Sequence, residues 1–265
     1  MTMTIDTNKT ETLARDPFRP AGPENLWRKG SVFFVGGNLP LYETLQTMFE
    51  SFCMESTQLF HLTFGEHDRF QDNLEMARQI RKNFTTRLMV QLDYPLSKAA
   101  IEHIYAAGVN ILDIPMVPTS AANHEENHRR QESLKTAQAV FPRWSAASTV
   151  TVGEVKLEET VRAIDDLLNA HILPLALLSS AVVQDVQAQS IIFNHLAAGW
   201  EQHQVPIQPL LPLILLATPL ILEDQPGRIR GFINRILDRH DLVRSDLNRH
   251  LRVGHAADSL DSAGL

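Results

Sequence analysis

Short apolar runs alternate with amphipathic stretches along most of the chain, and this alternation predicts a repeated βα unit. Ser97 and Gly108 stand where an N-cap and a C′ residue would bound one of the helices. Strands are predicted at 31–36, 58–64, 87–92, 110–116, 146–152 and 172–178, with a seventh within 208–216. Helices are predicted at 41–54, 70–83, 97–107, 123–140, 157–170, 186–202, 226–237 and 241–251.

The nearly continuous apolar character of these strands indicates a sheet that is buried on both faces. Such sheets are parallel and covered by crossover helices. Right-handed βαβ units repeated six or seven times predict an α/β fold of the (β/α) TIM-barrel type, full or partial, with additional C-terminal helices. A doubly wound open sheet is the alternative, but Gly36-Gly37-Asn38 is too short for the GxGxxG loop that would favour it.

The chain length and composition fit one domain. With 265 residues, of which 44% are hydrophobic, the chain can bury one large core. We expect a single barrel domain at 26–252, with flexible polar tails at 1–25 and 253–265. The N-terminal tail is expected to dock from about Pro17 onward. The apolar stretch 205–222 is interrupted by four prolines, which predicts a buried barrel strand and an apolar loop there rather than a membrane span.

The net charge and the cysteine content indicate the cellular compartment and exclude some classes of binding partner. The formal net charge is −7 and the basic residues are scattered, so nucleic acid is not expected as a partner. Cys53 is the only cysteine, which excludes a disulfide within the chain and favours a reducing cytoplasm. The N-terminus lacks the apolar core of a signal peptide. Cys53 itself is interpreted as a small buried hydrophobe.

Polar residues recur where the predicted strands end. In barrels and open α/β sheets alike, function is located at the carboxyl ends of the strands. Carboxylates and imidazoles at that rim could support acid–base or metal-assisted chemistry. The residues concerned are Glu66, His67, Asp93, Asp113, His124 and Glu154.

Several strand-end segments, in their order along the chain, are similar to radical S-adenosylmethionine (SAM) enzymes, and above all to the biotin-synthase-like branch. The sequence LTFGE at 62–66 stands where that family carries a Gly-Gly-Glu motif, with Phe64 replacing the first glycine. SKAAIEHIYAAGVNILDIPM at 97–116 resembles the end of the third unit and the fourth strand, and NAHILPLALL at 169–178 resembles the sixth strand. The resemblance covers about residues 32–178.

The resemblance implies a SAM site but not the family's metal cluster. It implies that Glu66 binds the ammonium of SAM, that Asp113 accepts ribose hydroxyls, and that Gly65, Gly153 and Glu154 complete the cofactor-binding set. The family holds a [4Fe–4S] cluster on three cysteines spaced C-x3-C-x2-C, and a cluster needs thiolate ligands. With one cysteine in the chain, we expect no iron–sulfur cluster. The catalytic residues remain unassigned.

His124-Glu125-Glu126-Asn127-His128 matches the HExxH zinc motif letter by letter. On a helix, His124 and His128 would lie one turn apart and could both reach a metal ion. The surroundings are polar, however, and Arg129 and Arg130 would repel a cation. We therefore predict a solvated helix N-terminus with acidic residues on the helix dipole, and keep a metal site at His124 and His128 as the alternative.

Three functions follow from these observations. The first is a non-catalytic accessory or scaffold barrel that binds a small molecule or another protein, such as a cluster-bearing paralogue or a second copy of itself. The second is a cluster-independent enzyme that uses the rim carboxylates and histidines. The third is a SAM-binding methyltransferase or sensor. We favour the first because the cluster cysteines are missing.

Overall fold

The computed structural model describes residues 3–54, 56–116, 124–179 and 186–222. Within these residues the strands are β1 (Met3–Ile5), β2 (Leu26–Lys29), β3 (Val32–Gly36), β4 (Leu59–Thr63), β5 (Arg87–Gln91), β6 (Ile111–Asp113), β7 (Ala146–Val152), β8 (Leu173–Leu178) and β9 (Leu220–Leu222). The α-helices are α1 (Thr7–Arg15), α2 (Leu41–Met54), α3 (Phe70–Asn83), α4 (Lys98–Ala106), α5 (His124–Val140), α6 (Leu157–Asn169), α7 (Val186–Gln202) and α8 (Leu211–Ala217).

A seven-stranded, mostly parallel sheet is curled into a half-barrel. Its order is β2-β3-β4-β5-β6-β7-β8, with β2 antiparallel to β3 and all other neighbours parallel. The register aligns Thr63 with Gln91 and Gln91 with Asp113. Side chains at aligned positions point to the same face, so these three residues form a polar row at the end of apolar strands.

The predicted βα alternation is confirmed through β8 and α7. The strands β3 to β8 and the helices α2 to α7 lie within one or two residues of their predicted positions, apart from a shorter β6. Ser97 is the N-cap of α4, since its side chain accepts the N–H of Ala100. Gly108 follows that helix with φ +97°, a conformation that favours glycine. The outcome is a mixed α/β half-barrel.

The seventh predicted strand is wrong. Residues 208–210 form a 3-10 turn and 211–217 form α8. Pro209 and Pro212 stand in the first turns of these two elements, where proline fits because its missing N–H needs no partner. A helix that is apolar on all sides must be buried, and α8 is buried against β8.

The apolar core of the described residues forms two clusters. On the convex face, Val35, Leu62 and Val90 pack against the apolar sides of α2 to α5. On the concave face, Phe34 and Met89 belong to a second cluster. That cluster continues to α6, α7 and α8 and includes N-terminal residues such as Phe18.

Residues 3–15 of the predicted N-terminal tail form β1 and α1. β1 pairs antiparallel with β9, and α1 lies against α7. Lys9 Nζ donates to the carbonyls of Leu215 and Leu220 at 2.6 and 3.0 Å. Phe18 is buried, with its ring 5.5 Å from that of Phe34. Leu13 and Phe18 belong to the apolar cluster that includes Phe34.

Three sequence predictions fall outside the described residues: the helices at 226–237 and 241–251 and the tail at 253–265.

Cys53, predicted to be buried, is exposed instead. It lies on the side of α2 that faces away from the sheet, whereas Thr44 and Met48 are the residues of α2 that are buried. Among the described helices, none has both the length and the apolar character needed to cross a membrane.

Candidate functional site at the carboxyl rim

The carboxyl ends of the parallel strands place the predicted rim residues along one edge of the half-barrel. Glu66 follows β4, Asp113 ends β6, and Gly153 and Glu154 follow β7. β4 and β7 are separated by three inter-strand spacings, or about 14 Å along the sheet. The residues predicted to bind SAM therefore share one rim, but they do not form one compact cluster.

Asp113 is the most strongly held polar group of this rim. Its side chain is fully buried and accepts three hydrogen bonds. Gln91 Nε2 donates to Oδ2 at 2.8 Å, Thr149 Oγ1 donates to Oδ2 at 2.7 Å, and the Thr149 N–H donates to Oδ1 at 2.9 Å. Both carboxylate oxygens are thus occupied by the neighbouring strands.

The backbone explains why a hydrogen-bond acceptor is needed at position 113. β6 is only three residues long, and the Ile114 carbonyl accepts the Ser148 hydroxyl at 2.8 Å. The Thr149 N–H, next along β7, bonds to the Asp113 side chain. Asp113 therefore acts as an acceptor for a main-chain donor. This hydrogen bond is sufficient to explain an acidic residue at this position, and no ligand has to be invoked.

Burial shifts the protonation of two groups on the concave face. The pKa of Asp113 is raised to about 6 by burial, against the opposing effect of its hydrogen bonds with Thr149 and Gln91. The pKa of His61 is lowered to about 4, also by burial. Both residues line one internal cavity of about 20 Å³. A cavity of this size holds at most about one water molecule.

The chain itself fills the remainder of the concave face. Leu213, Ile214 and Ala217 of α8 lie over the strands, and all three line the small cavity together with Trp200 and Pro20. Trp200 is buried and donates its Nε1–H to the Pro174 carbonyl at 3.1 Å. The concave face is therefore an apolar core rather than a binding pocket.

The glycines of the rim are explained by the asparagines beside them. A Cβ on Gly65 would overlap the side-chain amide of Asn38, and a Cβ on Gly37 would overlap that of Asn73. Asn73 is fully buried and its Oδ1 accepts the Gly65 N–H at 3.2 Å. Asn38 Nδ2 donates to Glu24 Oε1 at 2.6 Å. The space that the resemblance assigns to a cofactor beside Gly65 is thus occupied by Asn38.

Of the other predicted cofactor residues, Glu66 and Glu154 are exposed and Gly153 is partly buried. Glu66 precedes a short 3-10 turn at 67–69 and makes no capping hydrogen bond there. Glu154 is exposed and accepts the Ser179 hydroxyl at 3.0 Å. Gly153 has φ +99° and an added Cβ would meet only the Ser179 Cβ at 3.9 Å. Glycine is required at 153 for its backbone conformation rather than to leave room.

Two further rim residues lie together beside β4 and β5. The rings of His67 and Tyr94 meet edge to face, with their centroids 5.4 Å apart. The Tyr94 hydroxyl is buried and has no hydrogen-bond partner among the described residues. Burial, followed by the charges of Asp93 and Asp68, raises the pKa of Tyr94 to about 12.

Arg130 organises the rim, a role that the sequence analysis missed. Only 5% of this residue is exposed, and its guanidinium donates to the main-chain carbonyls of Asp93 and Pro115. The same group donates to Glu126 Oε1 at 2.8 and 3.1 Å. Arg130 thereby ties the ends of β5 and β6 to α5. The Glu126–Arg130 spacing predicts a helical ion pair, but not that it points inward.

The HExxH sequence falls at the start of α5. Glu125 is paired with Arg129 and Glu126 with Arg130. His128 is exposed. Over the described residues, no group of three or more His, Cys, Asp or Glu side chains could hold a metal ion. The side chain of His124 lies outside the described residues, so the two-histidine site remains a prediction.

A large open groove lies on the convex side, between α5 and α6. α5 packs against α4, α6 packs against α7, and both α5 and α6 contact β7. The groove has a volume of about 710 Å³ as the described residues define it. Its floor is apolar, and its walls carry charges of both signs. The floor includes Leu134, Val150, Leu167 and Ile172, and the walls include Lys135, Glu159, Arg162 and Asp166.

Comparison of the chain with protein-family models and with curated proteins gives no match. What the fold defines is a class: an α/β half-barrel with a polar carboxyl rim. The resemblance to radical SAM enzymes rests on the sequence motifs alone. Of the residues that it assigns to SAM, Gly65 lies against the Asn38 side chain, and Asp113 accepts hydrogen bonds from Thr149. The SAM site remains a prediction.

Proposed function

We propose that this protein is a cluster-free, radical-SAM-like barrel that acts as a non-catalytic accessory or scaffold for another protein. One observation carries the proposal: the concave face is filled by α8 and Trp200, whereas the groove of about 710 Å³ opens on the outside, between α5 and α6. Space for a partner therefore lies on the convex surface.

The two volumes indicate where the described residues leave room for an occupant. Sites for small molecules commonly measure about 300–1,000 Å³. The cavity beside Asp113 and His61 is far below this range at about 20 Å³, and the α5–α6 groove is within it. Asp113 has a raised pKa, as catalytic acids often do, but its oxygens are occupied by Gln91 and Thr149.

The lining of the groove indicates the chemistry of its occupant. The floor is buried apolar surface, including Val150 and Leu167. Lys135 and Arg162 stand on the walls with Glu159 and Asp166. A protein segment that presents apolar side chains flanked by charges of both signs matches this surface. A polyanion does not match it, because the acidic wall residues would repel it.

The test is site-specific photo-crosslinking in the cells that produce the protein. A photoreactive amino acid replaces Arg162 on the groove wall, and in a matched control it replaces Arg78, an exposed residue of α3. We expect a crosslinked partner from position 162, none from position 78, and loss of the product when Ala163→Glu fills the groove. Calorimetric titration of SAM into the purified protein is expected to give no heat of binding.

Two results would overturn the proposal. The first is SAM binding that Glu66→Ala abolishes, which would favour a SAM-dependent enzyme or sensor. The second is identical crosslinking from positions 162 and 78, since this would remove the groove as a specific surface. A product at position 162 that contains only this chain would identify the partner as a second copy.

A further inference from the structure

α2 carries a row of apolar side chains that no described element covers. Tyr42, Phe49 and Cys53, here termed the α2 stripe, are spaced so that they lie along one line of the helix. Tyr42 is 81% exposed, Phe49 is 58% exposed, and Cys53 is also exposed. Met54, at 84% exposure, adds apolar surface at the end of the helix. Aromatic residues and methionine are enriched in protein interfaces.

The stripe stands out from the rest of the described surface. Over the described residues, five large hydrophobic side chains are exposed, and three of them belong to α2. The other two, Ile191 and Ile221, lie apart on α7 and β9. On the opposite side of α2, Thr44 and Met48 are buried and already hold the helix against the sheet. A group of exposed apolar residues on one helix marks an interaction surface.

The charges beside the stripe indicate what binds there. Glu43 and Glu50 each follow a stripe residue in sequence and lie on the solvent-facing side of α2. The helix contains no lysine or arginine, and neither carboxylate forms an ion pair with a described residue. Glu50 accepts the side-chain amide of Gln46 at 3.3 Å. An apolar row beside unneutralised carboxylates is complementary to a basic amphipathic segment.

We propose that the α2 stripe binds an amphipathic helix of a partner protein, with lysine or arginine beside its apolar row. Tyr42 and Cys53 are about 16 Å apart along the helix axis, so the partner helix needs about three turns. Its basic residues recur about every seven positions, matching Glu43 and Glu50. A second copy of α2 would bring four carboxylates together without a cation, and an anionic membrane would repel the same groups.

This surface is separate from the groove of the proposed function, and the proposal is independent of it. α2 connects β3 to β4, whereas the groove lies beside β7. β3 and β7 are four inter-strand spacings apart, or about 19 Å along the sheet. The groove walls carry charges of both signs, whereas α2 carries acidic residues alone. The two surfaces therefore select partners of different charge.

Model peptides test the charge of the occupant. Fluorescence anisotropy compares two labelled helical peptides for binding to the full-length protein, one built of leucine and lysine and the other of leucine and glutamate. We expect saturable binding of the lysine peptide, and an affinity about tenfold or more weaker for the glutamate peptide. The double variant Glu43→Lys/Glu50→Lys should reverse this preference.

A second set of variants tests where the lysine peptide binds. Phe49→Asp should weaken its binding about tenfold or more, and because Phe49 is exposed this variant should unfold at the wild-type temperature. Ile191→Asp, which changes an exposed apolar residue of α7, is the matched control. This control and Ala163→Glu in the groove should leave the affinity within about twofold. Saturating peptide should slow the reaction of Cys53 with Ellman's reagent, since Cys53 lies in the stripe.

Several results would overturn the proposal. Equal binding of the two peptides, or no binding of either, would remove the basic helix as the occupant. Equal affinity in the wild type and in Phe49→Asp would place the binding elsewhere. A concentration-dependent dimer that Phe49→Asp abolishes would assign the stripe to a second copy. Binding to phosphatidylserine vesicles that Phe49→Asp abolishes would assign it to a membrane.

Discussion

Thr149 donates both its main-chain N–H and its hydroxyl to the carboxylate of Asp113, at 2.9 and 2.7 Å. The pair joins β6 to β7 beyond the point where the short β6 ends, at the rim where barrel proteins hold their ligands. An acidic residue in this position suggests a binding role when it is read from sequence. In the folded chain it completes the hydrogen bonding of the sheet instead.

Removal of the Asp113 carboxylate should destabilise the protein, whereas neutralising it should not. Asp113→Ala leaves the buried N–H of Thr149 and the amide of Gln91 without an acceptor, at a cost of about 2–4 kcal/mol in the free energy of unfolding. Asp113→Asn keeps an acceptor for Thr149, and Gln91 can turn its amide to match. Urea unfolding at pH 7.5 measures both. Asp93→Ala, exposed on the same rim, is the control and should change stability by less than about 0.5 kcal/mol.

Asp113 and His61 should oppose each other in the pH dependence of stability. The folded pKa of Asp113, about 6, lies above its ordinary value of 3.8. The contribution of Asp113 to the free energy of unfolding therefore falls as pH rises from about 4 to 6. The folded pKa of His61, about 4, lies below its ordinary value of 6.5, so its contribution falls as pH drops through this range. The two contributions therefore change in opposite directions over this pH interval in the wild type.

Single variants should reveal the two opposing contributions. In Asp113→Asn only the contribution of His61 remains of the two. Stability should therefore fall more steeply than in the wild type as pH drops from 6.5 to 4. In His61→Asn only the contribution of Asp113 remains of the two. Stability should therefore rise relative to the wild type over the same pH interval. Chemical denaturation at a series of pH values measures these differences. The effect of the surface carboxylates on stability is common to all three proteins, so it cancels when their profiles are subtracted. Parallel profiles for the three proteins would contradict the assignment.

Gly65 should tolerate a side chain only when Asn38 is shortened. Gly65→Ala forces its Cβ against the Asn38 amide and disturbs the hydrogen bond to Glu24, at a cost of about 1–3 kcal/mol. In the Asn38→Ala background most of this cost should disappear, which a double-mutant cycle measures. Gly36→Ala is the contrasting variant, because its Cβ would overlap the main-chain carbonyl of Pro23. Asn38→Ala should not relieve it.

Arg130 should be essential for rim stability, and its neighbour Arg129 should not. Arg130→Ala removes hydrogen bonds to the carbonyls of Asp93 and Pro115 and leaves Glu126 unpaired, which should cost about 2–4 kcal/mol. Arg129→Ala breaks only an exposed pair with Glu125 and should cost less than about 1 kcal/mol. Thermal unfolding followed by circular dichroism separates the two. Equal losses would show that the rim does not depend on Arg130.

Local pattern was enough to predict β3 to β8 and α2 to α7, because strand and helix periodicities extend over a few residues and require no distant partner. It failed at α8. A short apolar run is compatible with either a buried strand or a buried helix. Packing on the concave face, which α8 covers together with Trp200, determines that this run is a helix. The strand β1 and helix α1 were missed for a similar reason, since they are ordered by pairing with β9 and packing on α7.

The sequence by itself determined the βα order, and with it the residues that lie at the carboxyl rim: Glu66, Asp113 and Glu154. Only the tertiary structure decided what each one contacts. Asn38 and Gly65 are distant in sequence, as are Asp113 and Thr149, and such contacts depend on how separate strands align. Hydrogen bonding and steric fit act across space, whereas periodicity acts along the chain. The position of the rim could therefore be predicted, but not the use that the protein makes of its side chains.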